Sequence, residues 1–147
     1  MARRFSFIFA AVILALAALA PGVAASSPRS GFFHVEKECS QYTGLAGSFC
    51  TITYSNLNAI KVGSRVVYAQ AADFDTGTLD TDIAVVRDGH SIAYGHVVLD
   101  LVTGYGTLTM SGGTGQFLGF SAPAVAVTPL GPGNWEWDGG YSFSPQG

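Results

Sequence analysis

The chain has 147 residues, 48% of them hydrophobic and 12% charged, and its mean hydropathy is +0.34. That excludes an intrinsically disordered chain, which combines high charge with few apolar residues. Nineteen glycines and six prolines argue against a helix bundle, and the glycines do not recur at every third position as in collagen.

The first element is a leader. Arg3 and Arg4 precede an apolar run from Phe7 to Ala20, then Pro21, Gly22 and the small residues Val23-Ala24-Ala25. A basic start, a short apolar run and an A-x-A-like end mark a secretory signal peptide over residues 1–25, with Ser26 first in the mature chain. A membrane-spanning helix needs about 20 apolar residues, and this run is too short for one. The reading is therefore a secreted or periplasmic protein with no membrane association in its mature form. The remaining 122 residues suffice for one domain: a lead over 26–31, a β domain over 32–143 and a tail over 144–147.

Cys39 and Cys50 both fall in the mature part, as an exported chain with one disulfide would place them. Closing that loop stabilises the fold by about 3 kcal/mol on a chain-entropy basis. A metal site would need more ligands at close spacing, and neither CxxC nor HxxxH occurs. No metal and no cofactor are expected. Without the leader, the basic residues are Arg29, Lys37, Lys61, Arg65 and Arg87, scattered among ten acidic ones. Nucleic acids and anionic membranes are bound through basic patches, so neither is an expected partner.

Beyond Ser30 the chain alternates strand-like runs with turn residues. Candidate strands span Phe32–Glu38, Ser48–Asn56, Arg65–Asp73, Leu79–Arg87, Ser91–Val102, Tyr105–Ser111, Gln116–Thr128 and Asn134–Phe143. Asp75-Thr76-Gly77, Asp88-Gly89, Thr103-Gly104, Gly112-Gly113-Thr114-Gly115 and Gly131-Pro132-Gly133 punctuate them, and such pairs favour hairpins. No 3.6-residue periodicity is sustained outside the leader, so the domain is all-β. Eight antiparallel strands with short links favour a closed barrel, which removes exposed edges; a two-sheet sandwich is the alternative. In the last strand Trp135, Trp137, Gly139, Tyr141 and Phe143 take one face, and Asn134, Glu136, Asp138, Gly140 and Ser142 take the wet one.

Ala93-Tyr94-Gly95-His96 and Gly112-Gly113-Thr114-Gly115-Gln116-Phe117-Leu118-Gly119 resemble the allene oxide cyclase/dirigent-like barrel superfamily, over about Ser64 to Phe143. The resemblance implies an eight-stranded barrel with an apolar central cavity. Plant members cyclise fatty-acid epoxides or steer phenoxy-radical coupling with little or no cofactor. The glycine motif is architectural, so no catalytic residue is carried over from that family.

The candidate chemistry is sparse. Gly112–Gly115 lacks the Lys-Ser/Thr end of a phosphate loop and reads as a turn. Asp73, Asp75, Asp80 and Asp82 crowd together but miss the EF-hand pattern, leaving a solvated rim. His34, Glu36 and Glu38 share a strand face about 7 Å apart, a spacing that predicts no His–carboxylate hydrogen bond. Lys37 falls on the opposite face, the apolar side of Phe33 and Val35. No GxSxG elbow or Ser/His/Asp set occurs. His96 shares a face with Ile92, Tyr94 and Val98. If that face lines a cavity, Tyr68, Tyr94, His96, Trp135 and Trp137 would form a ligand site. The expected function is an exported barrel that binds a small apolar or phenolic molecule or acts as an interaction module. A cofactor-free cyclase or isomerase and a purely structural surface protein are the alternatives.

Overall fold

A computed structural model describes residues 29–145, so the leader lies outside the described residues. Eight strands follow one another in chain order: β1 (Ser30–Glu38), β2 (Phe49–Ser55), β3 (Arg65–Tyr68), β4 (Thr78–Val86), β5 (Ile92–Asp100), β6 (Gly106–Gly113), β7 (Phe120–Gly131) and β8 (Asn134–Phe143). Each pairs antiparallel with the next, and β1 pairs with β8 from Ser30↔Ser142 to Glu38↔Asn134. The sheet is therefore a closed barrel, the first of the two expected architectures. Closure satisfies both edges of every strand, which an apolar, strand-rich chain needs to avoid pairing with its neighbours.

Two strand boundaries differ from expectation by more than three residues, each for a local reason. β3 ends at Tyr68 rather than Asp73 because Gln70 leaves the ladder. Its side-chain Oε1 accepts from the Asp82 amide at 2.7 Å, while its own amide donates to Thr81 Oγ1 at 2.9 Å. β7 starts at Phe120 rather than Gln116 because Gly115 adopts a φ of +56° and opens a 3-10 turn over Gly115–Phe117. That turn drives the Phe117 ring into the barrel.

Inward side chains fill most of the interior. At the end that carries the β6–β7 turn, Phe120 lies among Phe33, Phe117, Tyr141 and Phe143, with ring centroids 6.4, 5.7, 6.3 and 5.1 Å away. These tilted aromatic pairs plug that end. The β8 alternation holds: Trp137 and Gly139 are buried, with Trp135, Tyr141 and Phe143 packed against the core.

The opposite end carries the β1–β2, β3–β4, β5–β6 and β7–β8 connections, and backbone and side-chain hydrogen bonds join them into a ring. Ala72 N–H donates to Gly44 O at 2.9 Å, Leu101 N–H to Gly77 O at 2.9 Å and Cys39 N–H to Gly133 O at 2.8 Å. Trp135 Nε1–H completes the circuit by donating to Gly104 O at 3.0 Å. The Cys39–Cys50 disulfide ties the first of these loops to β2. Gly44 is required where it stands. Its φ is +81°, and a Cβ there would fall 2.6 Å from the Phe74 ring.

Candidate functional site

The mouth of the barrel is built around Lys37. Alternation along β1 puts Phe33, Val35 and Lys37 on the inward face, and closure of the barrel then buries the lysine to 4% exposure. It is the one buried lysine, arginine or acidic side chain among the described residues, and no carboxylate there pairs with it. Its ammonium donates a hydrogen bond to the Tyr68 hydroxyl, which in turn donates to Cys50 Sγ at 3.4 Å. Three rings surround Nζ: Tyr68 at 5.1 Å, Trp135 at 5.8 Å and Trp137 at 5.0 Å from their centroids. Cation–π attraction offsets part of the cost of burying the charge. Loss of hydration still dominates, and it lowers the Lys37 pKa to about 7. Burial likewise raises Tyr68, so its hydroxyl keeps its proton, and Tyr42 is raised for the same reason.

Beside the amine lies a cavity of about 40 Å³ that opens to solvent, lined by Lys37, Tyr42, Tyr68, Leu99, Leu101 and Trp135, among others. Such a space holds a few waters, or the head of a small molecule, at about 10–15 Å³ for each water. Two polar atoms near it are buried without a hydrogen-bond partner among the described residues, Tyr42 Oη and Trp137 Nε1. The Tyr42 ring packs 4.9 Å from that of Tyr68. Three loops of the ring expose an apolar side chain, Leu45, Phe74 and Val102, and the end of β7 exposes Leu130, with Val102 at 86%. The mouth thus joins a buried amine to an apolar rim.

Of the expected residues, Tyr68, Trp135 and Trp137 come together around Lys37, whereas Tyr94 and His96 lie elsewhere. The Ile92-Tyr94-His96-Val98 face of β5 points outward, with Tyr94 47% exposed, while Ala93, Val97 and Leu99 point in. Apolar residues stand on both faces of β5, so its hydrophobic pattern leaves parity ambiguous. Pairing with β4 decides it, because His96 lies opposite Asp82 and Val98 opposite Asp80. His96 is held between those carboxylates, Nε2 at 2.7 Å from Asp80 and Nδ1 at 2.9 Å from Asp82. Asp73 instead accepts the amides of Asp75 and Thr76 at 3.0 and 3.1 Å and shapes the β3–β4 turn.

The outer face of β1 also departs from expectation. His34 does meet carboxylates: Nδ1 is 2.7 Å from Asp138 and Nε2 is 3.2 Å from Glu36. The β1–β8 register sets Asp138 directly across from His34, within reach of a cross-strand pair. The flexible Glu36 arm leans along the strand to cover the spacing that Cβ positions alone leave too wide. Contacts at both ring nitrogens require the imidazolium, which donates twice, and the Asp138 hydrogen bond foremost raises the His34 pKa. His34, Glu136 and Asp138 place three potential ligand atoms within 4.8 Å of one another, the one group among the described residues that could face a metal ion. The doubly bonded ring marks it as an imidazolium clamp.

A stability consequence follows from the raised His34 pKa. The clamp's contribution is complete below about 6.5, the free imidazole value, and fades as pH rises through the higher folded value. His34→Gln is expected to cost about 0.5–1 kcal/mol at pH 5.5 and nearly nothing at pH 9, read from urea midpoints. An equal cost at both pH values would contradict the clamp.

Lys37 and Tyr42 are the titratable mouth residues outside the expected set. The signal for Lys37 was its parity with Phe33 and Val35; Tyr42 lies in a loop, where no periodicity speaks. No family model, curated protein or solved structure matches this chain.

Proposed function

We propose that the barrel binds a small apolar or phenolic molecule at this mouth, polar head toward Lys37 and apolar body toward the loop rim. The observation that carries the reading is a buried amine without a carboxylate partner, facing a cavity open to solvent. An acceptor oxygen on the ligand would take a hydrogen bond from Lys37 Nζ and would suit the unpartnered Tyr42 hydroxyl, which belongs to a residue lining the same cavity. Apolar pockets gain orientation from a few such polar groups. The hydrogen-bonded loop ring supports the proposal, because a pre-organised mouth loses little entropy on binding. Kinship with the allene oxide cyclase/dirigent-like barrels belongs to the same proposal, supported by the eight-stranded closure. So does export, which the disulfide supports.

Trp135 and Trp137 are the chain's two tryptophans, so their emission reports on this site alone. Titration with 4-ethylphenol and with butanol is expected to give saturable quenching. Leu101→Phe, which thickens the cavity wall, should weaken it at least several-fold. A linear, unsaturable response to both compounds, identical in the variant, would reject the site.

A further inference from the structure

We propose that Lys37 captures small aldehydes covalently, as an imine formed inside the mouth, which makes carbonyl compounds the ligand class of this site. The inference rests on the reading of the mouth as a small-molecule site and adds a bond to it. Its basis is placement. Lys37 lines the cavity, is 4% exposed as a residue, and its Nζ has the Tyr68 hydroxyl as its hydrogen-bond partner rather than a carboxylate. A carboxylate would hold the amine as ammonium, which has no lone pair; a tyrosine hydroxyl does not. The aromatic wall of Tyr68, Trp135 and Trp137 excludes bulk water from the nitrogen, which disfavours the charged form and shelters an imine from hydrolysis.

The chemistry balances without any redox partner. The amine lone pair attacks the carbonyl carbon, a C–N bond forms, and the carbonyl π electrons move to oxygen. That oxygen leaves as water with the two hydrogens lost from nitrogen, and a C=N bond remains. Tyr68, whose hydroxyl stays protonated because burial raises it, is placed to hydrogen-bond the departing oxygen or to orient the amine. The alkyl tail of the aldehyde would run toward Leu99 and Leu101 and out to the apolar rim.

The chain contains an internal control. Its two lysines are Lys37 and Lys61, and Lys61 lies exposed on the β2–β3 connection at the opposite end of the barrel. Protein incubated at pH 7 with butanal and sodium cyanoborohydride, then mapped by mass spectrometry, should gain one butanal less one oxygen atom at Lys37. Labelling there is expected to be at least tenfold faster than at Lys61, although burial alone would make Lys37 the slower site. Tyr68→Phe should slow it several-fold, and Lys37→Met should abolish it while leaving Lys61 unchanged. Equal or faster labelling of Lys61 would overturn the inference. Butanal that quenches tryptophan emission just as butanol does, with no fixed adduct at Lys37, would also overturn it while leaving non-covalent binding intact. The loss of both quenching and adduct would remove the two readings together.

Discussion

Replacing Lys37 by Met is expected to stabilise the barrel at neutral pH by roughly 1–4 kcal/mol, a gain rather than a loss. A buried cation without a carboxylate partner is retained against its own desolvation, and a methionine of similar length removes that cost while filling the same space. The sign shows in the pH dependence. Lys37 titrates at about 7 in the folded chain and near 10.5 when free, so between those values the unfolded chain binds the additional proton. Wild-type stability therefore rises with pH across that interval, by up to about 1.4 kcal/mol per pH unit, and is flat in this respect below it. The groups facing Lys37 set the upper limit. Tyr68 and Tyr42 are raised by burial, so above about pH 10 the unfolded chain sheds their protons first and the trend reverses. The outer histidine clamps lose their contributions as pH rises, but they are part-exposed and common to both proteins. The difference between wild-type and Lys37→Met urea-unfolding curves from pH 7 to 9.5 isolates the lysine. A difference that stays constant over that range would show that the amine is hydrated.

At the other end of the barrel, Phe120→Ala is expected to cost about 3–5 kcal/mol, since it leaves a cavity in a packed core. The Phe120 ring is 1% exposed and touches four aromatic partners that come from β1, the 3-10 turn and β8. Collapse into the space is resisted because the closed hydrogen-bond ladder fixes the strands carrying those rings. Phe120→Leu should recover more than half of the loss. Tryptophan quenching at the mouth should survive in any fraction that remains folded, because the plug and the mouth lie at opposite ends. A cost below about 1 kcal/mol would mean that the plug is loosely packed, and that the barrel could be entered from both sides.

The two ends of the barrel also differ in chemistry. Aromatic rings, one of them the tyrosine Tyr141, fill one end. The other combines a buried amine, tyrosine hydroxyls and a disulfide under a ring of hydrogen-bonded loops. The disulfide acts at that mouth: Cys39 anchors the β1–β2 loop that carries Tyr42, and Cys50 Sγ accepts from the hydroxyl that holds Lys37. Stability and site architecture share the same bond.

The all-β class, the eight strands and the Cys39–Cys50 pair were legible in the residues, because glycine-rich turns and two-residue alternation are local properties of a strand. The inward tryptophans were legible for the same reason: β8 separates apolar from polar residues cleanly. Lys37 was placed on the apolar side by alternation but not recognised as a site residue, since parity does not reveal what closes over a side chain. Only the barrel decided that the lysine meets Tyr68, Trp135 and Trp137 rather than water. Tyr94 and His96 failed in the opposite way. Apolar residues occupy both faces of β5, and the choice of face lay in its register with Asp80 and Asp82 of β4. Register likewise brought Asp138 to His34 across a gap of 104 residues. Alternation assigns a side chain to a face, whereas pairing between distant strands decides which face is inside and which groups meet there.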